Sequence, residues 1–349
     1  MDEITRLMEC RRAYKLASDF CRRLTDGADL AASMDALRTG LRSVSGRGGN
    51  LIRMPEMMGN LLDDVERRSK GEMRMLKTGI PDLDALLYGI EPVNFMLIGA
   101  RPGIGKSGMG MQIALNVAKA GGNVIVCSRE MNEIQYSRRM VSNYSGVNGV
   151  KMKTGNLSAD EFESITDAAS ELSSRGISFA FESSTVEDLR SIVQVEKDRG
   201  QLDVLIVDYL QILKTSAKAD KRYEEVGRVS RALKEIALDL KVPVIAMAQV
   251  GRQTVSSGAS RAATRPVLSD LRESGNLEQD ADIIVFLHHP EAESDPTIPE
   301  WDRGTREAIE QMDSHDYMVV NVAKNREAET GFFGIDYDKA HQKFTCIVH

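Results

Sequence analysis

The stretch FMLIGARPGIGKSGMG, residues 95–110, decides how the rest of this chain is read. A short apolar run meets a turn holding Pro102, Gly103 and Gly105, followed at once by Lys106 and Ser107. The run predicts a buried strand, and the residues after the turn predict a helix. Glycine lets a backbone turn tightly and bring successive N–H groups toward one point. The N-terminal dipole of the following helix adds attraction for an anion there. Strand, turn and helix together predict a phosphate loop, in which Lys106 reaches the β- and γ-phosphates and the Ser107 hydroxyl ligates Mg²⁺. The strict pattern GxxxxGK[ST] needs glycine at position 100, and this chain has Ala100. The flanking elements therefore carry the reading. The predicted cradle is Ala100, Arg101, Pro102, Gly103, Ile104, Gly105, Lys106, Ser107 and Gly108.

A phosphate loop needs a second acid. DVLIVDYLQ, residues 203–211, ends a predicted buried strand at Asp208. At the C-terminal edge of a parallel sheet that carboxylate faces the loop and suits an aspartate holding Mg²⁺ through water. A helix cap after the strand is the other reading of Asp208. NVIVCSREM, residues 123–131, places Glu130 just past another strand, where a carboxylate can polarise an attacking water or simply be solvated. VPVIAMAQ, residues 242–249, ends at Gln249, whose amide can sense a γ-phosphate and pass on its loss. The segment after it has Arg252, Arg261 and Arg265 and no acid between Gly251 and Ser269. Such a positive loop can hold a nucleic-acid backbone, or be a plain surface loop. In VAKNREAETG, residues 322–331, Lys324 and Arg326 stand two apart and share a face if the segment is extended. They are either a solvated charged tip or cations that project into a neighbour's nucleotide, as arginine fingers do.

The wider composition sets bounds. Hydrophobic residues are 42% and charged residues 28% of 349, as in globular proteins with ample core material. No apolar run approaches the ~18 residues of a membrane span. The start, MDEITRLMECRR, has no apolar signal region, so the expected location is cytoplasmic, away from membranes. Cys10, Cys21, Cys127 and Cys346 form no CxxC pair, which argues against zinc and against a disulfide framework. A net charge of -7 means any nucleic-acid surface must be local or shared among subunits. Residues 1–50 predict short amphipathic helices ending in the Gly/Ser-rich SVSGRGGN linker. Residues 51–72 predict a helix with Met57, Met58, Leu61, Leu62 and Val65 on it, which needs something to pack on, a neighbouring subunit being one candidate. From residue 73 to 349, strands and helices alternate, which predicts an α/β fold with a mostly parallel central sheet and an antiparallel edge.

In chain order, TGIPDLDALLYGI (78–90), GARPGIGKS (99–107), SREM (128–131), LIVDYLQIL (205–213), VPVIAMAQVGR (242–252), LSDLRESGNLEQDADIIVF (268–286) and AKNREAETG (323–331) form a specific set. By these motifs the chain resembles the ATPase domain of DnaB-type hexameric replicative helicases, a RecA-like P-loop fold, over about residues 73–349. The resemblance implies that Lys106 and Ser107 bind the phosphates of ATP and Mg²⁺, that Glu130 is the catalytic base and that Asp208 is the Walker-B acid. It implies that Gln249 senses the γ-phosphate and that Lys324 and Arg326 act in trans. Arg272, Glu273 and Gly275 fall where the family's DNA-contacting loop lies, and Arg252 follows the sensor strand. The implied activity is ATP-driven 5′ to 3′ movement of single-stranded DNA through a homo-hexameric ring in DNA replication, with a helicase loader or primase as partners. The family's primase contact belongs largely to a globular N-terminal domain for which there is no room here, so a shortened form is expected. Residues 291–316, acidic and longer than the family's, are expected to be a solvated insertion, a partner-docking site being the other reading, and His288-His289 a strand end rather than a metal site. A RecA-like ATPase that remodels DNA or a protein partner without unwinding would share every nucleotide-site residue. So would a regulatory module that joins another helicase's hexamer.

Overall fold

A computed structural model describes residues 3–30, 32–34, 36, 37, 40, 52–72, 75–216, 221–250, 266–274, 276–290 and 303–347. The chain divides into two compact units, residues 1–74 and 75–349. The first holds α1 (Glu3–Thr25), further helical residues between 30 and 40, and α2 (Met54–Ser69). Asp26 and Gly27 form the turn that ends α1, and Pro55 opens α2. The linker at 43–50 lies outside the described residues.

The second unit is built on one sheet. Its nine described strands run in the order β3-β2-β4-β5-β1-β6-β7-β8-β9. They are β1 (Phe95–Ala100), β2 (Val124–Ser128), β3 (Ile177–Phe179), β4 (Val204–Asp208), β5 (Val244–Gln249), β6 (Ile283–His288), β7 (His315–Asn325), β8 (Gly331–Asp338) and β9 (Lys343–Cys346). The first six in that order pair in parallel, and β7, β8 and β9 continue as an antiparallel edge. Alternate residues of β1 show why its sequence is apolar throughout. Met96, Ile98 and Ala100 join the core on one face of the sheet, and Phe95 and Leu97 join the core on the other.

Helices cover both faces. On the first lie α3 (Pro81–Leu87), α4 (Lys106–Lys119) and α5 (Glu133–Ser145), with buried Leu83, Met109, Ile113 and Tyr136. The second face carries α8 (Val186–Asp198) and α9 (Arg222–Leu240), with buried Leu189, Leu233 and Ile236. Leu233 has no exposed surface, so Leu233→Ala is expected to lower unfolding stability by about 2–5 kcal/mol in urea titration. A loss well below this range would mean that α9 packs loosely on the sheet.

Two stretches differ from the sequence reading. Simple alternation of strand and helix implies one helix between β2 and β3, and three are present: α5, α6 (Gly149–Thr154) and α7 (Ala159–Ser173). Gly146 (φ 70°) and Gly155 (φ 74°) take left-handed conformations that end the first two helices. The side chains of Asn148 and Ser158 accept hydrogen bonds from backbone N–H groups at the starts of the next two. The acidic segment 291–316 is not wholly a solvated insertion. Its residues Arg303–Glu310 form α11, whose Ile309 is buried with Tyr317 and Val319 of β7. Residues 315 and 316 already belong to β7, while 291–302 lie outside the described residues.

Candidate nucleotide site

The C-terminal ends of four parallel strands meet at one edge of the sheet. Ala100 of β1 pairs with Gln249 of β5, and Ser128 of β2 pairs with Asp208 of β4. Crevices outside the carboxyl ends of parallel strands are where α/β sheets bind ligands. A cavity of about 330 Å³ opens here, lined by the phosphate loop together with Glu130, Arg139, Gln249, Tyr337, Lys339 and Gln342. Of the cradle expected from sequence, Ala100, Arg101, Pro102, Gly103, Gly105, Lys106, Ser107 and Gly108 line it. Ile104 does not, because its side chain packs against the hydrophobic core.

Gly105 is needed twice over. It caps α4 at φ 97°, a left-handed conformation. A Cβ there would also come within 3.0 Å of Tyr337 Cε1 and 3.1 Å of Phe344 Cζ. Those two rings stack with centroids 4.3 Å apart and brace the loop from the β8–β9 hairpin.

Lys106 and Ser107 open α4 and face β4. The Ser107 hydroxyl donates to Asp208 Oδ1 at 3.0 Å. Asp208 is 2% exposed, and its Oδ2 has no hydrogen-bond partner among the described residues. Burial pushes the Asp208 carboxyl above the ordinary aspartate value, against the pull of Lys106 and the Ser107 hydrogen bond. Burial likewise lowers the Lys106 pKa, against the pull of Asp208 and Glu130. The Lys106 ammonium rests 3.8 Å from the centroid of the Tyr209 ring, within cation–π range. A buried carboxylate oxygen left unpaired beside a hydroxyl is a hard-oxygen donor set, and it fits Mg²⁺. Glu130, two residues past β2, is exposed in the cavity.

The last residue of β5 is held by a side chain. β4 stops pairing with β5 at Val207 and Ala246. Further on, the Gln211 amide takes over: its Nε2 donates to the Gln249 carbonyl at 2.9 Å, and its Oε1 accepts from the Gln249 N–H at 3.1 Å.

Lys324 and Arg326 lie elsewhere. Lys324 pairs with Ile284, and the Arg326 N–H donates to the Asp282 carbonyl at 3.2 Å, level with Phe95. The level of Arg326 is the opposite end of the parallel strands from Ala100, roughly 16 Å away at about 3.3 Å per residue, and Lys324, level with Leu97, is roughly 10 Å away. Neither residue lines the cavity of its own chain. Arg272 and Glu273 sit in a 3₁₀ turn, Leu268–Ser274. Arg252 and Gly275 fall outside the described residues.

With this geometry in hand, comparison with known families is decisive: the DnaB-like helicase C-terminal domain matches residues 75–346. The chain belongs to that family. The replicative DNA helicase DnaB of Geobacillus stearothermophilus is 31% identical over 306 residues, which is 86% of this chain and 63% of that protein. The chain thus spans less than two thirds of the curated relative's length. Among solved structures, the ATPase domain of G40P superposes with a TM-score of 0.71 at 27% identity, over 86% of this chain and all of that one. A DnaB-like replicative helicase, solved to describe its interactions with primase, gives 0.78 at 25% identity, over 99% of this chain and 78% of that one. The DnaB-like domain here therefore has the RecA-like ATPase architecture.

Within that architecture, several cavity residues escaped sequence reading. Arg139 lies on α5, whose start is fixed by a capping box between Asn132 and Gln135. It adjoins the buried face of Tyr136, Met140 and Asn143, so helical periodicity counted from the cap could have found it. Lys339 and Gln342 come from the β8–β9 turn, more than 230 residues from the loop they face, and no local signal marks them. Asn143 anchors that turn by donating to Gln112 Oε1 at 3.0 Å and to the Gln342 carbonyl at 2.7 Å.

Proposed function

We propose that this domain hydrolyses ATP with Mg²⁺ and uses the cycle to move single-stranded DNA 5′ to 3′ through a ring of its own copies, separating strands in DNA replication. The observation that carries the reading is the pairing of Ser107 with Asp208 beside half-buried Lys106, at the foot of a phosphate loop. Ser107 Oγ and Asp208, the latter through water, would hold Mg²⁺, which when bound neutralises charge on the β- and γ-phosphate oxygens. The loop N–H groups and Lys106 bind the phosphates. Glu130 takes the proton of the attacking water. A second cavity of about 420 Å³, sharing Glu130, Arg139, Lys339 and Gln342, leaves room for ribose and base. Gln249 reads the γ-phosphate and passes its loss to the segment carrying Arg252. Arg252, Arg272, Glu273 and Gly275 form the DNA-facing loops, and Lys324 and Arg326 complete the site of the next copy.

Assembly as a homo-oligomer, six copies in this reading, is supported by α2. None of its residues is buried, although Met57, Met58, Leu61, Leu62 and Val65 all lie on it. Such a helix is stable when its apolar side docks on another copy. Leu62→Glu is expected to reduce the light-scattering mass from a ring to smaller species; an unchanged mass would remove α2 from the interface. A helicase loader and a primase are the proposed partners, primase because the solved relative is described with it.

The test of the function is strand separation on a forked duplex with a free 5′ tail, with ATP and Mg²⁺. Unwinding that requires the 5′ tail supports the proposal. Hydrolysis stimulated by DNA without unwinding favours a remodelling ATPase.

A further inference from the structure

The two cations assigned to the neighbour's nucleotide are not loose in this chain. Both are tied to one short helix, α10 (Leu277–Asp280), and to the two residues, Ala281 and Asp282, that follow it into β6. The Lys324 ammonium donates to the carbonyls of Glu278 at 2.6 Å and Ala281 at 2.7 Å. Arg326 gives one terminal nitrogen to the Gln279 carbonyl at 2.7 Å and the other to Asp282 Oδ1 at 3.1 Å. Helix C-terminal carbonyls favour cations, so the placement is electrostatically sound.

Asp282 is itself fixed. Its carboxylate is 8% exposed, and its Oδ2 accepts from the Phe95 N–H at 2.8 Å and from the Lys234 ammonium at 2.6 Å. Phe95 is the first residue of β1, the strand that leads into the phosphate loop. The carboxylate thus has one oxygen committed to the core and one aimed at Arg326. An arginine has five N–H donors in a rigid fork. Two are used here. The other three have no intrachain partner among the described residues, on a side chain 49% exposed.

We propose that Asp282 is a positioning residue for the Arg326 finger: its Oδ1 holds the guanidinium in one orientation, so that the remaining N–H donors are presented to the phosphates in the next copy. This rests on the reading of Arg326 as a finger. A side chain oriented in advance needs no ordering in the transition state, where misplacement by about 1 Å can cost a factor of 10². The anchor also references the finger to β1, so the aim of one copy depends on the strand that holds its own nucleotide.

The experiment uses Asp282→Asn in the full chain. An amide oxygen can replace Oδ2 toward Phe95 and Lys234, but then its NH₂ group meets the Arg326 donors. The expected result is a fall in kcat for DNA-stimulated hydrolysis of about 10- to 100-fold with KM for ATP unchanged. Mixing with Lys106→Ala subunits, which cannot hydrolyse but carry intact fingers, should restore part of the turnover. A purely structural role for Asp282 would not be rescued in trans. Asp282→Glu, which keeps the charge but carries it one methylene further, should give the same rescued loss and serves if the amide variant does not fold. Arg326→Ala is the reference. If it is rescued while the Asp282 variants keep wild-type kcat, or lose it beyond rescue, the positioning role is overturned and the finger stands. If Arg326→Ala is not rescued, the finger reading falls and the positioning role with it.

Discussion

Lys106→Ala is expected to abolish ATP hydrolysis, with kcat reduced at least about 100-fold and DNA unwinding lost with it. Two effects act together. The phosphates lose the ammonium that stabilises charge developing on the transferred group. Asp208, already held above the ordinary aspartate value by burial, also loses the cation that opposes that shift. Its carboxyl is then pushed further above the ordinary aspartate value, toward a form that is a poorer partner for Mg²⁺. Because Lys106 lines the cavity and lies outside the hydrophobic core, the substitution removes little of that core, and a thermal midpoint near wild type is expected. The measurement is steady-state phosphate release with and without single-stranded DNA. Wild-type turnover in the variant would end the phosphate-loop assignment and, with it, the proposed function.

How far this site could be read in the sequence depended on locality. The phosphate loop follows a buried strand, Asp208 and Gln249 each end one, and Glu130 comes two residues after one; a run such as LIVD announces both the strand and its last residue. Ala100 broke the glycine pattern without consequence, because its Cβ is buried against the core and needs no left-handed turn. Ile104 shows the converse: adjacency within a motif does not set side-chain direction, and it turned inward. The cavity wall from β8 and β9 was illegible, since Tyr337, Lys339 and Gln342 reach the loop only once three antiparallel strands have been added beyond β6. The same applies to the Gln211 clamp on Gln249. The motif LIVDYLQIL contains Gln211, but its partner is a backbone on another strand. After β2, the glycines at 146 and 155 and the caps at Asn148 and Ser158 were present in the sequence, but reading the chain as simple strand–helix alternation passed over them.

For the proposed finger residues, place in the sheet decides what they can do. Lys324 and Arg326 stand at the end of the sheet away from their own phosphate loop, so any nucleotide they serve belongs to another copy. Their anchors, the carbonyls of residues 278, 279 and 281, follow within a few residues of the LRESG segment proposed to meet DNA. A shift of that segment on DNA is expected to carry α10 and the proposed fingers with it. Arg326→Ala is therefore expected to leave ATP binding near wild type while lowering turnover by about 10³-fold or more. The loss should be largest in the presence of DNA. Binding is checked by fluorescent-nucleotide titration and turnover by phosphate release, and mixing with Lys106→Ala subunits should return part of the rate. The return should rise and then fall with the fraction of Lys106→Ala subunits, since only a boundary pairing an intact site with an intact finger can turn over. Turnover close to wild type in Arg326→Ala alone would show that the residue serves no nucleotide, in its own copy or the next.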